Sequence, residues 1–387
     1  MIGRRLVLLS LLAGCSPEGL DGFWVDVHGR VVGEDGAPLQ NALVTLASGD
    51  GAAVAEVRTD AYGAWRTPMY GTELAGNVLV ALVRADGHAE GRATFEVELR
   101  SPEVVTLRAG PGQTWEATSR RLATVRLAEE AAVATVTGRV LDAVTGAPVS
   151  NVPLSLQAGW NASVGDAAVG ATETGENGEY TFEVTKAGMY TVTAASTDAH
   201  GAARFPAFLA ASGGRAVGVV GAPVAAGQMR ASLVWGDSPF NLDLHLSAPL
   251  KGGIAGADGT GQYHVWAEAP VHPDTAAATD QEAYMERTDS DGVGPETVWI
   301  ESVADRGDVR LSVFDDDNRS DADSAALADS GAALQVWFGE DTPRYYTVSP
   351  GEVATLWRPV EIDVEVVRSY AVEAWSFGAD PADPEAF

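Results

Sequence analysis

Two stretches of this chain set carboxylates and an imidazole at spacings that could do chemistry. In Asn241-Leu242-Asp243-Leu244-His245-Leu246, strand alternation puts the three leucines on one face and Asn241, Asp243 and His245 on the other. Farther along, Thr288-Asp289-Ser290-Asp291-Gly292-Val293-Gly294-Pro295-Glu296 is a glycine-flanked acidic turn. Asp243, His245, Asp289, Asp291 and Glu296 could converge on one cation, and their oxygen-rich donor set suits calcium. The same groups could instead form a hydrogen-bonded buckle pinning the turn to the sheet, with His245 donating to an Asp, because half-buried carboxylates are usually satisfied by neighbouring donors. A second acidic run, Asp315-Asp316-Asp317-Asn318-Arg319-Ser320-Asp321-Ala322-Asp323, does not follow the EF-hand pattern. Counted from Asp315, its fifth position is Arg319 and its sixth is Ser320, where that loop needs a glycine. It reads as a solvated turn whose Asp side chains cap local backbone N–H groups.

Other chemistries lack their residues. The six histidines, His28, His88, His200, His245, His264 and His272, form neither H-x-x-E nor H-E-x-x-H. There is no G-x-S-x-G elbow and no phosphate-binding Gly-Lys loop. No catalytic residue is assigned and a non-enzyme is expected; the enzymatic alternative is a hydrolase built from scattered Asp, Ser and His. Sugar binding asks for exposed aromatic faces beside polar groups, and Trp160-Asn161, Tyr263 with Trp266, and Tyr345-Tyr346 are the candidates.

The formal charge of −29 and the presence of only two lysines, Lys186 and Lys251, exclude nucleic acid as a partner, since phosphate binding needs a basic face. The 43 glycines and the Val/Thr-rich runs bounded by Gly, Asp, Asn and Pro predict many short strands. Glu116 to Ala132 is the best helix candidate, although Leu122, Thr124 and Arg126 also fit an alternating strand. At the start, Arg4 and Arg5 precede an apolar run, Leu6 to Leu12, too short to span a bilayer, which is the pattern of a secretory signal. Its exit, Leu12-Ala13-Gly14-Cys15, carries the single cysteine of the chain and resembles the bacterial lipobox. That resemblance implies a thioether-linked diacylglycerol on Cys15 and, with Ser16 next instead of Asp, an outer-membrane address; several acyl chains hold a protein on a membrane far more firmly than one.

VHGRVVGEDGAPLQNALVTL, from Val27, recurs as VTGRVLDAVTGAPVSNVPLSL from Val136. Two copies at this spacing indicate two related domains. Each copy then carries a hairpin landmark, Thr59-Asp60-Ala61-Tyr62-Gly63-Ala64-Trp65 in the first and Thr174-Gly175-Glu176-Asn177-Gly178-Glu179-Tyr180 in the second. The order G-x-V, G-x-P and T-D-x-x-G-x-aromatic resembles the carboxypeptidase regulatory-like family of transthyretin-like β-sandwiches, with Gly175 replacing the usual acid in the second copy. From about Met229 the pattern changes: Leu233-Val234-Trp235, the D-L-H-L and D-x-D-G-x-G-P-E stretches and Ser330-Gly331-Ala332 together resemble a bacterial family of exported β-sandwich domains of unknown function.

The expected fold is all-β, in tandem sandwiches: signal peptide 1–14, lipidated tether 15–24, first sandwich 25–108, linker 109–132, second sandwich 133–224, third sandwich 229–366 and acidic tail 367–387. The expected role is a lipid-anchored, non-catalytic binding or structural module of the cell envelope, with a glycan or an envelope protein as partner. A carbohydrate-binding accessory lipoprotein is the alternative.

Overall fold

The computed structural model describes residues 24–376 apart from 71–77, 97–103, 111–112, 131–133, 251–260, 274–281, 303–306, 364–367 and positions 164, 211, 291, 322 and 340. The signal peptide, Cys15, Asp291 and the end of the acidic tail lie outside the described residues.

The first copy contributes β1 (Trp24–Val32), β2 (Leu43–Ser48), β3 (Ala53–Arg58), β4 (Ala64–Tyr70), β5 (Val78–Arg84), β6 (Gly91–Glu96), β7 (Val104–Gly110), β8 (Gln113–Arg121) and β9 (Val125–Arg126). One sheet runs β4-β1-β8-β7, with β9 also on β1; the facing sheet runs β3-β2-β5-β6. The second copy contributes β10 (Ala134–Asp142), β11 (Pro153–Ala158), β12 (Ala168–Glu173), β13 (Glu179–Val184), β14 (Gly188–Ala194), β15 (Ala203–Leu209) and β16 (Gly214–Val220). Its sheets are β13-β10-β16 and β12-β11-β14-β15.

The repeat in sequence is therefore a repeat in topology. In both copies the opening strand lies between an antiparallel strand from the hairpin landmark, β4 or β13, and a parallel strand from the end of the copy. In the second copy β16 fills the parallel place along Val136–Asp142. In the first that place is split between β8, against Trp24–His28, and β9, against Val31 and Val32. Within the stretch 109–132, expected as a linker with a possible helix, β8 and β9 thus complete the first sheet. Of Leu122, Thr124 and Arg126 only Arg126 lies in a strand, the two-residue β9; β8 and β9 are there because an opening strand left unpaired on one side would be an exposed edge.

The motif residues hold the sandwiches together. Gly29 pairs with Trp65, and Gly138 with Tyr180, across the sheet. A β-carbon on Gly29 would sit 2.9 Å from the Trp65 ring, and one on Gly138 would overlap both the Tyr180 ring and the Ala216 carbonyl. The glycine of G-x-V is thus the floor on which the aromatic of the landmark lies. Thr59 Oγ1 donates to the Leu39 carbonyl and accepts from the Ala42 N–H; Thr174 does the same with Val149 and Val152. Asn41 and Asn151 take left-handed φ of 63° and 57° at equivalent turns, a conformation Asn tolerates. Asp60 caps the Tyr62 and Ala64 N–H groups, a turn cap that the second copy lacks at Gly175.

The third unit contains β17 (Met229–Val234), β18 (Leu242–Pro249), β19 (Gln262–Val265), β20 (Val271–His272), β21 (Ala283–Arg287), β22 (Glu296–Ile300), β23 (Asp308–Asp315), β24 (Ala333–Phe338), β25 (Arg344–Thr347), β26 (Leu356–Asp363) and β27 (Arg368–Ser376). A six-stranded sheet, β20-β21-β22-β17-β24-β25, faces a five-stranded one, β19-β18-β23-β26-β27. The one helix among the described residues, α1 (Ala326–Asp329), is a single turn before β24. Residues 368–376, expected within the acidic tail, pair with β26. Every residue of β17 is buried, since Met229, Ala231 and Leu233 face the core of the third sandwich while Val234 packs with the core of the second.

Gly138→Ala should cost at least about 1–3 kcal/mol, as overpacking against a fixed backbone carbonyl does. Gly29→Ala should cost less, because the Trp65 ring can yield. Urea denaturation of the two variants checks the order.

Candidate functional site

Glu296 opens β22 in one sheet of the third sandwich and reaches β18 in the other. The Leu244 N–H donates to its Oε2 at 2.6 Å and the Asp289 N–H to its Oε1 at 3.2 Å. Asp289 in turn accepts from the Gly294 N–H at 3.1 Å and from Arg287 at 3.3 Å. The loop between them turns through Gly292, Val293 and Gly294, all with left-handed φ, and a β-carbon on Gly294 would lie 2.7 Å from the Leu233 carbonyl. Asp289 and Glu296 of this stretch therefore form a clasp: they accept backbone and guanidinium N–H groups, and Glu296 ties the two sheets together. Arg287 extends it to the second sandwich by donating to the Thr145 carbonyl at 3.1 Å.

His245 does not join this clasp. It shares the outer face of β18 with Asp243, but its Nδ1 lies 2.8 Å from His264 Nε2 on the neighbouring strand, and its ring stacks on Trp266 at 5.2 Å. His245 thus sits in an imidazole pair beside the indole of Trp266, brought there by the neighbouring strand. Among the described residues no group of three or more His, Cys, Asp and Glu side chains is arranged to hold a metal ion. The acidic loop caps itself: Asp315 accepts from the Asn318 N–H and side-chain amide, Arg319 pairs with Asp316, and Asp317 accepts from the N–H groups of Phe240 and Asn241.

Burial decides the charge state of these acids. It pushes the Glu296 carboxyl up to about 8 against the two backbone N–H groups that favour its anion, with Asp243 adding to the rise. Burial likewise pushes Asp243 up to about 7, reinforced by Asp316 and Glu268. His245 is held well below its usual value by burial, with His264 adding to the shift.

The aromatic candidates for sugar stacking are all buried. Tyr263 and Tyr346 belong to the core of the third sandwich, and Trp266 covers His245. Trp160 and Tyr345 meet at the junction of all three sandwiches: Trp160 lies 5.5 Å from Phe95 of the first and, edge-on, 5.7 Å from Tyr345 of the third. The Tyr345 hydroxyl accepts from the Asn161 N–H at 2.6 Å and lies 2.8 Å from Thr191 Oγ1. Large exposed aromatics instead include Tyr62, at a hairpin tip, and Phe240, before β18.

A feature with no local sequence signal is a cleft of about 610 Å³ where the three sandwiches meet. Glu34 and Arg126 come to it from the first, Phe208 and Arg215 from the second, and Asp237 and Asp329 from the third. Arg126 lies over the Phe208 ring at 4.0 Å and donates to the Glu34 carbonyl.

No protein-family model matches the chain, and comparison with curated proteins finds no match. Among solved structures, the TIE protein of Bacillus anthracis aligns over 73% of this chain and 49% of its own at 10% identity, with a TM-score of 0.21. This chain thus spans about half the length of that protein. The shaft pilin SpaA of Lactobacillus rhamnosus GG aligns over 51% of this chain and 98% of its own at 12% identity, TM-score 0.19. Catechol 1,2-dioxygenase from an Acinetobacter species aligns over 30% of this chain and 55% of its own at 15% identity, TM-score 0.20. The all-β architecture of stacked sheets rests on the strand pairing described above. No helix among the described residues is long and apolar enough to cross a membrane.

Because the Glu296 carboxyl is raised in the folded state from 4.5 to about 8, the stability it confers is complete below pH 4.5 and is lost as pH rises through about 8. The unfolding free energy of wild type should fall relative to that of Glu296→Gln across this window, measured by chemical denaturation at several pH values. Thermal melts in EDTA and in millimolar calcium should superimpose; a large upward shift in calcium would restore the cation reading of the clasp.

Proposed function

We propose that this chain is a non-catalytic structural and binding module of the cell envelope, exported and anchored to a membrane through lipid on Cys15, with its three sandwiches projecting as one body. The observation that carries the reading is the buried junction of Phe95, Trp160, Thr191 and Tyr345, which draws on all three sandwiches. A tethered scaffold gains from such a junction because its surfaces keep a fixed spacing from the anchor. The lipobox-like Leu12-Ala13-Gly14-Cys15 and the preceding apolar run support the anchor, and Ser16 after the cysteine supports the outer membrane as its address. The two carboxypeptidase regulatory-like copies support a scaffolding role, since the motif residues that define them are spent on turns and packing.

Two experiments test the reading. A radiolabelled fatty acid fed to expressing cells should label the wild type and leave Cys15→Ser unlabelled and in the soluble fraction; equal fractionation of both would remove the anchor. Tyr345→Ala should cost about 3–5 kcal/mol, as truncation of a large buried aromatic does. Calorimetry should then show one transition in wild type resolve into at least two in the variant.

A further inference from the structure

The cleft at the three-way junction has a volume of about 610 Å³, within the roughly 300–1,000 Å³ of small-ligand sites, which favour domain interfaces. Its charges are mixed. Arg126 and Arg215 stand among Glu34, Asp35, Asp237 and Asp329, so neither sign forms an uninterrupted wall. A polyanion finds no net positive field there, on a chain of formal charge −29. A cationic segment would have to pass the two guanidiniums. Two guanidiniums against four carboxylates leave the cleft rich in planar donors and acceptors that can hydrogen-bond a neutral partner. Arg126 lies over the Phe208 ring at 4.0 Å and donates to the Glu34 carbonyl, contacts that hold its guanidinium in place without a bound partner. Such paired donors and acceptors match the neighbouring hydroxyls of a sugar.

The geometry points to a neutral oligosaccharide as the ligand of this cleft. The inference rests on the proposed single body, because the walls come from all three sandwiches. It also moves sugar recognition away from Trp160, Tyr263, Trp266, Tyr345 and Tyr346, all of which are buried.

The test is calorimetric titration of the full-length chain with neutral tetrasaccharides of the β-1,4-glucose, β-1,4-N-acetylglucosamine and α-1,4-glucose series, with a sulfated oligosaccharide and pentalysine as charged controls. At least one neutral tetrasaccharide should bind with a submillimolar Kd. Its affinity should fall at least tenfold in Asp237→Ala and in Arg215→Ala, whose side chains are exposed and whose loss should leave the fold intact, and it should be unchanged in Tyr62→Ala. Absence of neutral-sugar binding, binding indifferent to both cleft variants, or binding of a charged control alone would overturn the inference. A single melting transition in the same sample would leave the single-body reading standing; split transitions would remove both.

Discussion

The Tyr345 hydroxyl is the interaction on which the arrangement of the molecule depends. A phenol can be buried only if its oxygen finds partners, and here both come from the second sandwich: the Asn161 N–H and Thr191 Oγ1. The ring meets Trp160 edge-on, and Trp160 rests on Phe95 of the first sandwich. The loop carrying Trp160 is itself stitched to β6 by backbone bonds, Trp160 N–H to the Arg92 carbonyl and Thr94 N–H to the Trp160 carbonyl. Three units with separate sheets thus converge on one buried point.

The contacts around that point differ in kind. Between the second and third sandwiches, the Gln335 side chain pairs with the Val219 N–H and carbonyl and donates to the Arg204 carbonyl, all in buried surroundings. Trp337 donates to the Ala202 carbonyl, and Thr297 to that of Ala143. Unmaking these bonds would leave polar groups unsatisfied, which costs more than making them contributes. Between the first and third sandwiches, Arg30 and Arg121 share Glu352, all three partly exposed, a pairing that solvent weakens. The second sandwich is the hub, and the first is held chiefly through it.

Much of the fold was legible because it rests on local rules. Alternation in the first copy put Val44 and Leu46 on one face, and both are buried in β2. The repeated G-x-V and T-x-x-x-G-x-aromatic stretches marked equivalent strands, and the structure supplies the reason: the aromatic needs a glycine beneath it. Local rules ended where tertiary pairing began. Nothing between 109 and 132 says that β8 and β9 complete the first sheet, because the demand for them lies in β1, far away in sequence. The buckle at Asp289 and Glu296 was visible as a glycine-flanked acidic turn, whereas the pairing of His245 with His264 depends on strand order. The junction was the least legible, since Trp160 and Tyr345 look like surface aromatics until the sandwiches are packed.

Asp289 and Glu296 of the third sandwich thus act as fastenings between its sheets. Its three sandwiches hold their surfaces in fixed relation. That fixed relation is tested most directly by electron–electron spin resonance distances between labels at Tyr62→Cys and Val353→Cys, both exposed positions on different sandwiches, in a Cys15→Ser background. A single narrow distance distribution is the expected result. A broad or multimodal one would mean that the sandwiches swing independently and would contradict the account.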